Sequence, residues 1–171
     1  MLLDPILTRL GLEPGDIAGA YVAGQLPLTD SAVNRLIAKR LWSHPHIASV
    51  QVASQDQDVA FVRIELRSRV VPPVNIVVRI ERQPSLPGDP TIVLRWSMPA
   101  AGPLAMLAGP VLGFLKKMPE GVRIDRDLIT VDLRTLLRAR GLEEVLGLVR
   151  RVALHTRPGV FVLQFEAGWS G

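Results

Sequence analysis

Cysteine is absent from this 171-residue chain. That excludes a disulfide framework, a thiolate metal site and a cysteine nucleophile. Aromatic residues are scarce at 5%, although hydrophobic residues make up 48%. The apolar volume is therefore aliphatic, and little is on hand to stack nucleotide bases. Lysine occurs only at Lys39, Lys116 and Lys117, against 17 arginines. Arginine suits phosphate and carboxylate partners, because its fork binds two oxygens at once. The net charge is only +4, however, with both signs mixed along the chain. Nucleic acid is not an expected partner on that balance. A Gly-rich phosphate loop, a G-x-S-x-G elbow and an H-E-x-x-H helix are also missing. No enzymatic activity and no cofactor are expected. The opening stretch MLLDPILTRLGLEPGD has neither the basic start nor the unbroken apolar run of a signal peptide. A cytoplasmic location is expected, with peripheral contact to an anionic membrane as a further expectation.

What is present is one long uncharged stretch. Trp96 to Leu115 (WSMPAAGPLAMLAGPVLGFL) carries no charge over twenty residues, between Arg95 and Lys116. Twenty residues can cross a bilayer as a helix. Pro99, Pro103 and Pro110 leave little room for an unbroken one. The stretch reads instead as a strand end, a Pro/Gly turn and a helix from Leu104 to Met118. Leu104, Leu107, Val111, Phe114 and Met118 form one face of that helix, and its other faces are apolar too. A helix apolar all round must be enclosed on most sides. It is either a core helix alone or a core helix with one side against an apolar ligand.

The flanking chain has the length of one domain. Asp4-Pro5 opens a short helix that Gly11 stops. Ile17 to Leu26 alternates weakly, as a strand. Thr29 caps a helix over Asp30 to Trp42, with Val33, Leu36, Ile37 and Leu41 at helical spacing. Period-two alternation then predicts antiparallel strands, with Ala60, Val62, Ile64 and Leu66 inward and Val74, Ile76, Val78 and Ile80 inward again. A connection at Val71 to Pro73 would set Ile64 opposite Ile80, Glu65 opposite Arg79 and Arg63 opposite Glu81. Thr91 to Met98 is a further strand. Gly121 to Ile124 and Leu128 to Leu133 pair across Asp125-Arg126-Asp127, and Arg134 to Val149 is helical with a break at Gly141. Val152 to His155 and Val160 to Phe165 close the chain as a hairpin. Asp132 stands where it can cap the helix after it.

His44-Pro45-His46 and the distant His155 have no acidic or Cys partner at ligand spacing, so no metal is expected. The segments LPLTDSAVNRLIAKRL (26–41) and GVRIDRDLITVDLRTLL (121–137) resemble parts of TULIP, or tubular lipid-binding, domains of the small bacterial kind. Thr29, Asn34 and Asp132 sit at the matching positions. That resemblance implies an α+β fold in which a strongly curved antiparallel sheet wraps a central apolar helix, with additional short helices. It implies a lipid or other hydrophobic small molecule, bound without catalysis in a groove between helix and sheet, with transfer between membranes as a further expectation. Leu104, Leu107, Val111 and Leu115, with Trp96 and Met98 on the facing strand, are the expected lining. The alternative is a structural or protein-interaction module with a dry core, self-associating as a homo-oligomer.

Overall fold

The computed structural model describes residues 19–41, 45–67, 72–98 and 120–168. Nine strands and three short helices occur among them. In chain order these are β1 (Tyr21–Thr29), α1 (Asp30–Leu41), β2 (Ile47–Ser54), β3 (Val59–Leu66), β4 (Val74–Arg82) and β5 (Thr91–Ser97). There follow β6 (Val122–Asp125), β7 (Leu128–Asp132), α2 (Leu133–Arg138), α3 (Glu143–Leu148), β8 (Val149–Arg157) and β9 (Val160–Gly168). The strands form two antiparallel sheets, one of six in the order β2-β3-β4-β5-β7-β6 and one of three in the order β1-β9-β8.

This corrects the expected fold class. The described residues are mostly strand, divided between two sheets, with helices of twelve, six and six residues. No central apolar helix wrapped by one curved sheet occurs among them. The predicted helix from Leu104 to Met118 and the one after Asp4 lie outside the described residues. No described helix is long and apolar enough to cross a membrane.

The alternation in β3 and β4 places the core. Ile64 and Val74 are opposite one another and, with Ile47, form its buried centre. Val50, Val62, Leu66, Ile76 and Met98 pack around them. Val74 is only 2% exposed, and burying a valine fully contributes about 1.5–3 kcal/mol. Inward residues are as expected, but the register is not. Ile64 pairs with Val74 rather than Ile80, and Val59 pairs with Arg79. A slip of six residues preserves every face, because side-chain direction depends only on parity. Glu65 therefore does not meet Arg79. It pairs with Arg63 on its own strand at 3.2 Å, while Glu81 pairs with Arg95 on β5 at 3.0 Å.

Polar side chains tie the elements together where backbone ladders end. Thr29 Oγ1 accepts from Ala32 N at 3.3 Å and so caps α1. From α1, Asn34 reaches the outer side of β2: Val52 N donates to its Oδ1 at 2.7 Å, and its Nδ2 donates to Val52 O at 2.9 Å. Two residues on, Ser54 N and Ser54 Oγ donate to the Asp30 carboxylate at 3.0 and 2.6 Å. The same device joins the two sheets. Gln83 Nε2 donates to Leu154 O at 2.6 Å, and Leu154 N donates to Gln83 Oε1 at 2.9 Å. Again two residues on, Thr156 N donates to Asp58 Oδ1 at 3.0 Å, and Thr156 Oγ1 donates to Val59 O at 3.1 Å. Ser54 and Thr156 are buried, so these bonds satisfy groups that would otherwise be costly to desolvate.

Candidate functional site

The β7–α2–α3–β8 segment builds one wall of an apolar cleft. Asp132 ends β7 and caps α2: its Oδ1 accepts from Arg134 N at 2.9 Å and Thr135 N at 3.3 Å, and its Oδ2 accepts from Thr135 Oγ1 at 2.8 Å. Partial burial raises the Asp132 pKa, but the bonds from Thr135 and Arg134 outweigh it and hold the carboxyl below its ordinary value. The cap was expected from the sequence, and so was the break at Gly141. Gly141 has φ +68°. Its N–H donates to Arg138 O at 2.9 Å, and Leu142 N donates to Leu137 O at 2.9 Å. These two bonds define a Schellman ending, which needs a left-handed residue and brings together the apolar side chains on either side. Leu137 and Leu142 accordingly both face the cleft.

Arg138 pins the bend by a two-pronged ion pair with Glu143, Nε to Oε2 at 2.8 Å and Nη2 to Oε1 at 2.6 Å. The pair raises the arginine pKa and lowers that of Glu143. Both side chains are exposed, so the pair fixes geometry more than it stabilises.

From this wall Leu133, Leu136, Leu137, Leu142 and Leu146 face inward. Leu86 and Ile92 come from the six-stranded sheet and the turn before β5, and Val149, Val152, Leu154, Leu163 and Phe165 from β8 and β9. The enclosed space is about 560 Å³ and is half-open to solvent. Among the described residues Arg140 is the one charged residue of the lining, and its side chain is exposed. Phe165 also lies across the sheet: a Cβ placed on Gly24 of β1 would come within 2.8 Å of its ring. Glycine at 24 is what lets the ring settle there.

Of the six residues expected to line a site, Leu104, Leu107, Val111 and Leu115 lie outside the described residues. Trp96 and Met98 do not line this cleft. Met98 packs on the Ile47–Ile64–Val74 core. Trp96 is half-buried, and its buried Nε1 has no hydrogen-bond partner among the described residues. Their strand sends Ile92 into the cleft instead. The lipid reading that rested on an enclosed helix is corrected with the fold: nothing among the described residues supports it. The sequence predicts a helical segment over Arg134 to Val149, but nothing there showed that β8 and β9 would leave space in front of it.

His155 has its Nδ1 3.2 Å from both carboxylate oxygens of Asp58. His44 lies outside the described residues. No group of three or more His, Asp or Glu among the described residues could hold a metal ion. No family model, no curated protein and no solved structure matches the chain. The resemblance to tubular lipid-binding domains stands on the quoted segments alone.

Proposed function

We propose that this protein is a non-enzymatic binding module that takes an apolar small molecule into the α2–α3 cleft. The observation that carries the reading is the space itself: about 560 Å³, lined among the described residues by aliphatic side chains and Phe165 with a single exposed arginine. Small-molecule sites typically enclose about 300–1,000 Å³ and are mainly apolar. Among the described residues the lining holds no carboxylate, histidine or hydroxyl, so these residues offer no group for acid–base or nucleophilic work. They do offer a dry wall against which an apolar molecule loses contact with water.

The test is a fluorescence titration with N-phenyl-1-naphthylamine, a neutral apolar probe. The wild type should show saturable, blue-shifted emission. Val152→Trp, which places a large ring in the cleft, should abolish that signal while circular dichroism and the melting temperature show a folded protein. Leu136→Trp provides the same block from the opposite wall. A wild type that binds the probe no better than either folded variant would refute the proposal.

A further inference from the structure

Two antiparallel sheets have four edges, and each edge strand presents backbone N–H and C=O groups that a neighbouring chain can pair with. Three of these edges are managed. On β2, Asn34 and Asp30 occupy the groups of Val52 and Ser54. On β8, Gln83 and Asp58 occupy those of Leu154 and Thr156. In each case residues i and i+2 are taken, which are the positions directed to one side of a strand. The third edge, β6, is only four residues long and carries Arg123 and Asp125.

The fourth edge, β1, is nine residues long and reads YVAGQLPLT, with no Lys, Arg, Asp or Glu. Its outward groups can be assigned. β1 pairs with β9 without a register shift, and Asp30 N at its end donates to Gly159 O. Counting back by twos, the backbones of Leu28, Leu26, Gly24 and Val22 face β9, and those of Thr29, Gln25, Ala23 and Tyr21 face outward. Pro27 falls in the outward set, where its missing N–H costs no bond to β9. Among the described residues, no backbone hydrogen bond reaches the outward groups of Tyr21, Ala23 and Gln25. The side chains beside them are exposed as well, Tyr21 by 55%, Val22 by 60% and Leu26 by 48%.

We propose that β1 is a docking edge and that its occupant is a second copy of this chain, joined β1 to β1 in antiparallel fashion about a two-fold axis at Ala23. In that register Tyr21 faces the partner's Gln25, and Ala23 faces the partner's Ala23. The three facing pairs exchange about six backbone hydrogen bonds, and Pro27 falls outside the ladder. Val22 then lies opposite the partner's Gly24, the residue whose lack of a Cβ lets Phe165 lie across the sheet. An exposed valine thus meets an aromatic ring. Self-pairing also brings no like charges of the two facing strands together, because β1 has none. The two three-stranded sheets become one of six.

The experiment is sedimentation equilibrium of the full chain, combined with amide hydrogen exchange. The wild type should be a dimer, and the amides of Tyr21, Ala23 and Gln25 should exchange more slowly as protein concentration rises. Ala23→Lys sets two cations face to face at the axis and should weaken the dimer at least about 100-fold. Ala23→Pro removes an outward N–H without touching the bonds to β9 and should do the same. Leu36→Lys, on the exposed face of α1, should leave the dimer unchanged. A wild type that stays monomeric at about 100 µM overturns the proposal, whatever foreign strand the edge then accepts. So does a dimer that persists at full strength in both Ala23 variants.

Discussion

Replacing Gln83 should cost far more than its position at the end of a surface strand would imply. Its amide takes the place of a neighbouring strand for Leu154, accepting from the N–H and donating to the C=O at 2.9 and 2.6 Å. In Gln83→Met the volume is kept and both bonds are lost. A net hydrogen bond contributes about 1 kcal/mol, and a buried group left without a partner costs about 1–3 kcal/mol. Leu154 is only partly buried, so water can recover some of the loss. The expected destabilisation is about 2 kcal/mol, read as a lower urea midpoint at unchanged slope. In a domain of this size that corresponds to a melting point lower by roughly 4–8 °C. The local readout is the Leu154 amide, whose exchange should accelerate more than that of Val162 on the neighbouring strand. A loss below about 0.5 kcal/mol, with Leu154 exchange unaltered, would refute the idea that Gln83 holds the two sheets together.

Asn34→Leu removes the equivalent clip between α1 and β2 and should destabilise by a similar amount, about 2 kcal/mol in urea denaturation. Asp132→Ala should cost about 1 kcal/mol at pH 7 through loss of the α2 cap. The Asp132 pKa is depressed in the folded state, so its contribution is complete above the unfolded carboxyl pKa near about 4. That contribution fades as the pH falls through the folded value, and the stability gap between wild type and Asp132→Ala should narrow in denaturation curves taken below about pH 4. Gly121→Ala should destabilise by more than about 1 kcal/mol, because Gly121 has φ +90° and a Cβ there would meet Asp132 O and the Thr135 side chain at 3.0 Å. Gly141→Ala, at φ +68° in open space, should cost less in the same melting assay.

Local features of this fold were legible and distant ones were not. The Thr29 cap, α1, the Asp132 cap, the break at Gly141 and the inward faces of β3 and β4 all follow from neighbouring residues. The β3–β4 register shows where local reasoning stops. Alternation decides which face Ile64 and Val74 share but not which residues oppose each other, and the charged pairs proposed for Glu65 and Arg63 fitted an equally good face six residues away. The division into two sheets depends on β1 finding β9, and on Gln83, Asp58 and Asn34 finding partners 71, 98 and 18 residues along. No periodicity encodes such pairings. The cleft was half legible: the helical segment that forms one wall could be predicted, and the space it faces could not.

The pairing of β1 with β9 has a consequence for how the protein is made. Each of the nine facing pairs joins residues roughly 130–150 positions apart. At a synthesis rate of about 5–20 residues per second, β1 leaves the ribosome roughly 7–30 seconds before β9 exists. The six-stranded sheet has strands that neighbour each other in sequence and can assemble during that interval. β1, uncharged along its whole length, must wait with both of its edges open. The nascent chain is therefore most exposed to mispairing with other nascent chains at its earliest described strand, and a chaperone that shields residues 21–29 until synthesis reaches residue 168 would protect the step on which the three-stranded sheet depends.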